Sequence, residues 1–179
     1  YGRFSVPEER PFNPNLVGVI TDPHRSRKGL HLTDLNAVNL TEDIVADYKS
    51  LVPEICKRGN DKDNYGSSVE LDVAVLRTIS LRIHYGALYV AECKYRQEPE
   101  TYNRLIRNKD RKGLKKKLTV KAREERILER VRHKVEHLQE EVNPSLRKRI
   151  SADAVVDFYR NVIIPLTKKG EVIYLLQRI

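Results

Sequence analysis

The chain has 179 residues, of which 40% are hydrophobic and 33% charged, and its formal net charge is +9. This length suits one compact domain with its own core, and the composition excludes global disorder. No stretch is long and apolar enough to predict a membrane span, and no signal-peptide pattern is present at Tyr1. The excess positive charge favours anionic partners, but it does not choose between nucleic acid, an acidic membrane and a small polyanion.

Residues 1–40 are rich in proline and glycine and have no sustained periodicity, which predicts an extended arm with a divergent loop. Residues 41–179 read as the helical, functional domain. Thr41 begins the first helix, with Glu42 and Asp43 at the positive end of its dipole. After a polar loop, Ser67 or Ser68 is expected to cap a long helix that runs to Pro99.

Amphipathic helical patterns continue after this proline. Residues 100–107 and 110–117 predict short helices, and Thr119 is expected to cap a long helix through about residue 137. Ser151 begins a last helix that is kinked near Pro165. No convincing strand pattern appears, so the predicted fold class is all-α, a helix bundle.

Several apolar and thiol side chains are expected inside this bundle. Val69 and Val73 belong to the apolar face predicted for the long central helix, and Leu138 to that of the later one. Cys56 and Cys93 are too few for a disulfide framework and are predicted to be buried thiols.

Three separated blocks of sequence agree in residue type and spacing with one enzyme family. The blocks are DNYGSS (63–68) with ISLRIHYG (79–86) and VAECK (90–94), then residues 118–134, and then residues 164–176. Together they resemble the helices of fungal and plant chorismate mutases. The resemblance spans nearly the whole chain and implies the helix bundle of that type, without the family's first long helix. It also implies the isomerisation of chorismate to prephenate, a Claisen rearrangement of a dianion that needs no cofactor and no metal.

The resemblance assigns three residues to the reaction itself. Arg82 matches an arginine that grips a substrate carboxylate, a task suited to a planar guanidinium. Lys94 matches a lysine that hydrogen-bonds the ether oxygen. Glu171 matches a second group at that oxygen, where it can donate only if burial keeps its carboxyl protonated.

Four further residues are implied as substrate-binding or supporting groups. Thr167 matches a hydroxyl near a carboxylate, and Glu124 matches the acceptor for the ring hydroxyl. Arg130 and Lys134 are spaced to share a helix face and match a supporting charged pair. Each of these side chains alone would ordinarily be read as a solvated charge or an intrahelical contact.

One insertion departs from the family pattern. Arg82 and Lys94 are twelve residues apart here, whereas the family spacing of eleven is close to three full turns. An unbroken helix would rotate Lys94 about 100° away from Arg82. We expect a π-bulge near Ala87 and Leu88 to absorb the extra residue.

The start of the chain is a second departure. The family's first helix supplies another arginine for the second carboxylate, and no such segment precedes Tyr1. The absence of Met suggests a longer parent protein. We therefore expect the isolated chain to bind the dianion poorly.

Two alternative functions remain open from the sequence. The first is a secreted mutase that binds a host or partner protein through residues 16–40, and the sequon at Asn39 favours export over a cytoplasmic location. The second is a basic helical nucleic-acid binder, but the basic runs at 115–117, 121–126, 130–134 and 147–149 lack aromatic residues for base stacking. We expect a homodimer that binds chorismate and neither nucleic acid nor a membrane.

Overall fold

The computed structural model describes residues 3–4, 20–21, 29–31, 37–56, 58–60, 62–142 and 151–178. The helices are α1 (Thr41–Ile55), α2 (Tyr65–Tyr85), α3 (Ala91–Gln97), α4 (Pro99–Arg107), α5 (Arg111–Leu118), α6 (Lys121–Val142), α7 (Ala152–Phe158) and α8 (Ile164–Leu176). Two strands, β1 (Arg3–Phe4) and β2 (Ile20–Thr21), pair in parallel over two residues each. Apart from this short pair, the regular structure of the described residues is helical, so the all-α prediction is confirmed. Most of segment 16–40 lies outside the described residues, and so does the basic run at 147–149.

Three side-chain caps were predicted at helix starts, and the structure confirms one of them. The Ser151 hydroxyl accepts the Asp153 N–H at 3.2 Å, so this predicted cap is confirmed. Neither Ser67 nor Ser68 caps α2, which begins earlier, at Tyr65, because the chain turns through positive φ at residues 62 and 63. Thr119 donates to the Lys115 carbonyl at 2.8 Å, so its hydroxyl closes α5 and does not cap α6.

Two π turns interrupt otherwise continuous helices. The first, Gly86–Val90, joins α2 to α3, and the second, Tyr159–Ile163, joins α7 to α8. Pro165 has no N–H, and its ring would clash with the carbonyl of Asn161 in a regular helix. Asn161 lies within the second π turn, whose wider backbone lets the helix pass the proline. The sequence had indicated a kink there but not its form.

The core consists of two clusters of buried side chains that meet along α8. One surrounds the first π turn and comprises Val38, Ala87, Leu88, Ala91, Tyr102, Ile106, Leu114, Leu118, Val172, Tyr174 and Leu175. The other comprises Leu40, Ile44, Tyr48, Ile79, Ile83, Phe158, Ile163 and Leu166. Val38 and Leu40 show that the end of the predicted arm packs into the helical core.

His84 links this end of the arm to α2. Its Nδ1 lies 2.9 Å from the Ser80 carbonyl, and its Nε2 lies 3.0 Å from the backbone nitrogen of Leu40. The Leu40 N–H donates to Nε2, so the ring is neutral with its proton on Nδ1. Burial lowers the pKa of His84, which favours this neutral form.

Several burial predictions were wrong. Val69, Val73 and Leu138 are 61%, 52% and 57% exposed, because no described element packs on the outer half of α2 or on that side of α6. Cys56 and Cys93 are free thiols but exposed, since one follows the end of α1 and the other lies on the outer face of α3. Among the described residues, no helix combines the length and apolar character that crossing a membrane requires.

Gly170 provides a test of how closely α8 packs on the first π turn. A Cβ at this position would lie 2.6 Å from the Cβ of Ala87, so Gly170→Ala should force the two helices apart. Overpacking of this kind typically costs about 1–3 kcal/mol. We expect the free energy of unfolding, measured by urea denaturation followed by circular dichroism, to fall by that amount.

Gly66→Ala in α2 is the matched control, because nothing lies within 4 Å of its added Cβ. Alanine is the better helix former, so this variant should be as stable as the parent or more stable. Equal stability of Gly170→Ala and the parent would contradict the close packing.

Candidate active site

A cavity of about 180 Å³ lies between α2, α3, α6 and α8. The residues that line it are Arg82, Val90, Lys94, Leu118, Val120, Arg123, Glu124, Ile127, Ile163, Ile164, Thr167, Lys168 and Glu171. Its walls combine aliphatic side chains with four cationic and two acidic groups. Such a lining suits a small, multiply charged ligand with an apolar ring.

The first π turn brings Arg82 and Lys94 to the same cavity. The turn spans Gly86–Val90 and absorbs one residue between them, so both side chains line the same walls although twelve residues separate them. The predicted π-bulge is confirmed. Gly86 also leaves room there, since a Cβ on it would lie 2.9 Å from Arg82 Nη1 and 3.0 Å from Thr167 Cγ2.

Lys94 and Glu171 form the most deeply buried charged pair of the lining. Lys94 Nζ donates to the Leu118 carbonyl at 2.8 Å and to Glu171 Oε2 at 3.2 Å, and the two side chains are 17% and 4% exposed. Burial raises the pKa of Glu171, while the adjacent Lys94 and then Lys168 pull it down. Burial outweighs both cations, so the carboxyl can hold a proton more readily than an exposed glutamate.

A second ion pair and a hydroxyl also line the cavity. Lys168 Nζ lies 2.7 Å from Glu124 Oε1, with the two side chains 15% and 25% exposed. Thr167 donates its hydroxyl hydrogen to the Ile163 carbonyl at 2.7 Å, which leaves the oxygen lone pairs available. Glu124 is therefore held in place by Lys168 while it faces the cavity.

The structure brings five of the seven predicted site residues together: Arg82, Lys94, Glu124, Thr167 and Glu171. Arg130 and Lys134 are exposed and do not line the cavity. Both follow Ile127 on the same face of α6, one and two turns farther along. Arg130 Nε is directed to the Arg126 carbonyl at 3.4 Å.

Sequence reasoning missed Lys168 and Arg123, which also line the cavity. A helical spacing could have revealed them. Residues 164, 167, 168 and 171 share one face of α8, and residues 120, 123, 124 and 127 share one face at the start of α6. Once Thr167, Glu171 and Glu124 are placed on a site, their neighbours at three or four residues follow.

Glu92 fixes the position of α3 against α8, next to the site. The Tyr174 hydroxyl donates to Glu92 Oε2 at 2.5 Å, Arg96 Nε donates to Oε1 at 2.8 Å, and Arg178 also contacts this carboxylate. Burial raises the pKa of Glu92, but its hydrogen bonds and the two arginines lower that pKa by more than burial raises it. The pKa of Glu92 is therefore below its usual range. Because Glu92 is two residues before Lys94 and Tyr174 three after Glu171, this network joins α3 to α8 close to the two cavity residues.

No group of three or more histidine, cysteine, aspartate and glutamate side chains within the described part of the chain could hold a metal ion. The cavity lining offers ionic and hydrogen-bonding side chains: two guanidiniums, two ammonium groups that are paired with carboxyls, and a hydroxyl.

Comparison with known proteins identifies the class to which this cavity belongs. No protein-family model matches the chain. The chorismate mutase of Schizosaccharomyces pombe is 41% identical over 180 residues, which cover 99% of this chain and 70% of the relative. That of Saccharomyces cerevisiae is 37% identical with the same coverage.

Solved structures agree with the sequence relatives. The chorismate mutase of Candida albicans, in complex with L-tryptophan, superposes with a TM-score of 0.81 at 37% identity and covers 96% of this chain and 66% of that one. The chloroplast enzyme of Zea mays gives a TM-score of 0.76 at 32% identity, with 96% and 67% covered. The chain thus has the fold of the all-helical eukaryotic mutases, and it belongs to the chorismate mutase family.

The pKa of Glu171 provides a test of the site's electrostatics. Because Lys94 is the main group that lowers this pKa, Lys94→Met should raise it further. Lys168→Met should raise it by less. The measurement is a pH titration of the side-chain carboxyl signals by ¹³C NMR, with Glu171→Gln to assign the resonance.

Lys169→Met is the matched control, because Lys169 pairs with Asp43 at 2.6 Å and does not line the cavity. It should leave the Glu171 titration as in the parent. A Glu171 pKa that is equal in the Lys94→Met variant and the parent would show that the two groups do not interact.

Proposed function

We propose that the cavity is the active site of this chorismate mutase, where chorismate is isomerised to prephenate. The observation that carries the proposal is the pair formed by Lys94 and Glu171, with Nζ to Oε2 at 3.2 Å, on one wall of a cavity that Arg82 also lines. An intramolecular rearrangement of a dianion needs a clamp for charge and fixed donors for the oxygen that gains charge. The lining contains side chains for both tasks.

Arg82 is the proposed clamp for one substrate carboxylate. Its guanidinium forms no hydrogen bond or ion pair with any residue in the described part of the chain, so it is available to a ligand. A planar guanidinium can hold a carboxylate by two parallel hydrogen bonds, which fixes orientation as well as position. Thr167, next to Arg82 across Gly86, is proposed to turn its hydroxyl hydrogen from the Ile163 carbonyl to the same carboxylate when the substrate binds.

Lys94 and Glu171 are the proposed donors to the ether oxygen. Lys94 carries three N–H groups and uses one on the Leu118 carbonyl. Glu171 donates only in its neutral form, which its raised pKa favours. As the ether bond breaks, both donors stabilise the negative charge on its oxygen, and no proton need be transferred. Glu124, held by Lys168, is proposed to accept the hydrogen bond of the ring hydroxyl.

The requirement for a protonated Glu171 predicts a pH dependence. The neutral fraction is highest below the raised pKa of Glu171 and is lost as the pH rises through it, so kcat/KM should fall on the alkaline side. Glu171→Gln keeps an N–H donor at every pH and should remove this fall. Glu171→Ala removes the donor and should reduce kcat by about 100-fold. The assay follows chorismate consumption and prephenate formation against pH.

Glu129→Gln, an exposed position on α6, is the control and should retain the parent's pH profile. If Glu171→Gln shows the same alkaline fall as the parent, another group is responsible for it. If the unmutated 179-residue chain forms no prephenate, the proposed function is wrong for this chain.

A homodimer is also proposed, formed through the exposed apolar side of α2. Tyr65, Val69 and Val73 lie at spacings of four residues on one face of α2 and are 57%, 61% and 52% exposed. Leu71 and Val75, which are 66% and 42% exposed, lie on the opposite face of the helix. A contiguous apolar surface of this kind is unusual on a monomer, and a second copy can cover it symmetrically.

Light scattering during size-exclusion chromatography tests this assembly. We expect the mass of a dimer for the parent and that of a monomer for the double variant V69K/V73K. Leu138→Lys, at an exposed apolar position on α6, should leave the mass of the dimer unchanged. A monomeric parent would contradict the proposal.

Two predictions from the sequence stay untested. One is binding of a host or partner protein through residues 16–40, together with export from the cell. The other is the role of Arg130 and Lys134 as a supporting pair for the substrate.

A further inference from the structure

We propose that Tyr174 is a positioning residue of the active site. Its hydrogen bond to Glu92 holds α3 at the rotation that directs Lys94 into the cavity. The inference rests on the proposed function and adds to it a residue that the family resemblance does not assign. Three observations support it: the short length of α3, the two contacts that join α3 to α8, and the set of partners around the Tyr174 hydroxyl.

The orientation of α3 depends on its contacts with the rest of the protein. It has seven residues, Ala91–Gln97, and it follows the π turn at Gly86–Val90 directly. Helices commonly kink at a π turn, and a helix as short as α3 is not stable by itself in water. Lys94 lies on this short helix, so the contacts of α3 determine where its ammonium group lies.

Two contacts between side chains join α3 to α8. Lys94 Nζ lies 3.2 Å from Glu171 Oε2. The Tyr174 hydroxyl donates to Glu92 Oε2 at 2.5 Å. Glu92 and Lys94 are two residues apart, which places them about 200° from each other around α3. One contact limits only the separation of the two helices, whereas two contacts from different sides of α3 also limit its rotation about its own axis.

The partners of the Tyr174 hydroxyl leave its hydrogen a single direction. Two donors approach its oxygen, the His31 N–H at 3.0 Å and Arg178 Nη1 at 3.4 Å. The one acceptor among these partners is the Glu92 carboxylate, so the hydroxyl hydrogen points to it. Tyr174 is 0% exposed, so water cannot replace this bond once it is lost. The contact between Tyr174 and Glu92 is therefore specific and cannot be substituted by solvent.

The titration of Glu171 reports the distance to Lys94 without any change of charge. Lys94 is the main group that lowers the pKa of Glu171. If loss of the Tyr174 hydroxyl lets Lys94 move away, that pKa should rise, although Tyr174→Phe removes no charge. The variant also leaves unchanged the other charged or titratable groups that act on Glu171 or line its cavity, which are Arg82 on α2, Tyr102 on α4, Glu124 on α6 and Lys168 on α8.

The test compares Tyr174→Phe with Tyr95→Phe in the 179-residue chain. Tyr95→Phe is the matched control, because the hydroxyl it removes is also a donor, to Asn103 at 3.0 Å, but joins α3 to α4. We expect Tyr174→Phe to lower kcat for chorismate by about 10- to 100-fold, the effect of a small misplacement of reacting groups. KM should stay near that of the parent, because Lys94 acts on the oxygen that gains charge in the transition state. Tyr95→Phe should retain the kcat of the parent.

The pH dependence separates positioning from a general loss of structure. A raised pKa of Glu171 keeps its carboxyl protonated to higher pH, so the alkaline fall of kcat/KM in Tyr174→Phe should move to higher pH although the maximum is lower. The ¹³C titration of Glu171 should show the same upward shift. Partial unfolding would lower activity without moving either titration. Tyr95→Phe should leave both as in the parent.

A second variant, Glu92→Gln, tests the same contact from α3. It keeps an oxygen for the Tyr174 hydroxyl but loses the charge that strengthens the bond, so kcat should fall by less than in Tyr174→Phe. Circular dichroism shows whether each variant is folded. If Tyr174→Phe does not fold, Glu92→Gln decides, and a kcat equal to that of the parent would overturn the inference.

The outcomes distinguish this inference from the proposed function. If the unmutated chain converts chorismate, and Tyr174→Phe has the kcat and the Glu171 pKa of the parent, only the role of Tyr174 is rejected. Equal losses in Tyr174→Phe and Tyr95→Phe reject it as well. If the unmutated chain does not convert chorismate, the proposed function is rejected. The Glu171 titration then still decides whether Tyr174 positions Lys94, since an unshifted pKa in Tyr174→Phe would contradict it.

Discussion

The site depends on a single wide turn of helix. Arg82 and Lys94 are twelve residues apart, and a regular helix would direct Lys94 about 100° away from the arginine. The π turn at Gly86–Val90 removes this mismatch. It is held from the other side by α8, where the absence of a side chain at Gly170 allows close contact with Ala87. The turn is thus part of the core and of the cavity wall at once.

Both carboxyls of the cavity lining form ion pairs with lysines. Lys94 with Glu171 and Lys168 with Glu124 each place a cation beside a carboxyl in a partly buried setting, which limits the cost of removing these groups from water. Burial still raises the pKa of Glu171. In the proposed mechanism, a proton on this carboxyl releases Lys94, and both groups then donate to the same ether oxygen. One residue pair can therefore stabilise the fold when the cavity is empty and the reacting oxygen when it is filled.

The sequence predicted the fold class and most helices because amphipathic spacing is a local property. It predicted the π-bulge because the spacing of Arg82 and Lys94 differs by one residue from that of the family that the chain resembles. It also placed Glu171 and Lys94 at one site, although seventy-seven residues separate them, through resemblance alone. Prediction from the sequence failed where contacts between distant segments determine whether a side chain is buried. Val69 and Val73 have a helical apolar pattern, yet nothing in the described chain covers them. Arg123 reads as one charge in a basic run, and its helical spacing points to the cavity only after Glu124 is placed there.

The central claim is that one cavity holds a dianion between α2, α3, α6 and α8, with donors at its ether oxygen. A crystal structure of the chain with a bicyclic dicarboxylate ether that mimics the rearranging conformer tests this most directly. The account predicts the compound in the cavity, with Lys94 and Glu171 within hydrogen-bond distance of its ether oxygen and the Arg82 guanidinium on one of its carboxylates. An inhibitor bound elsewhere, or with its ether oxygen turned away from both donors, would contradict it.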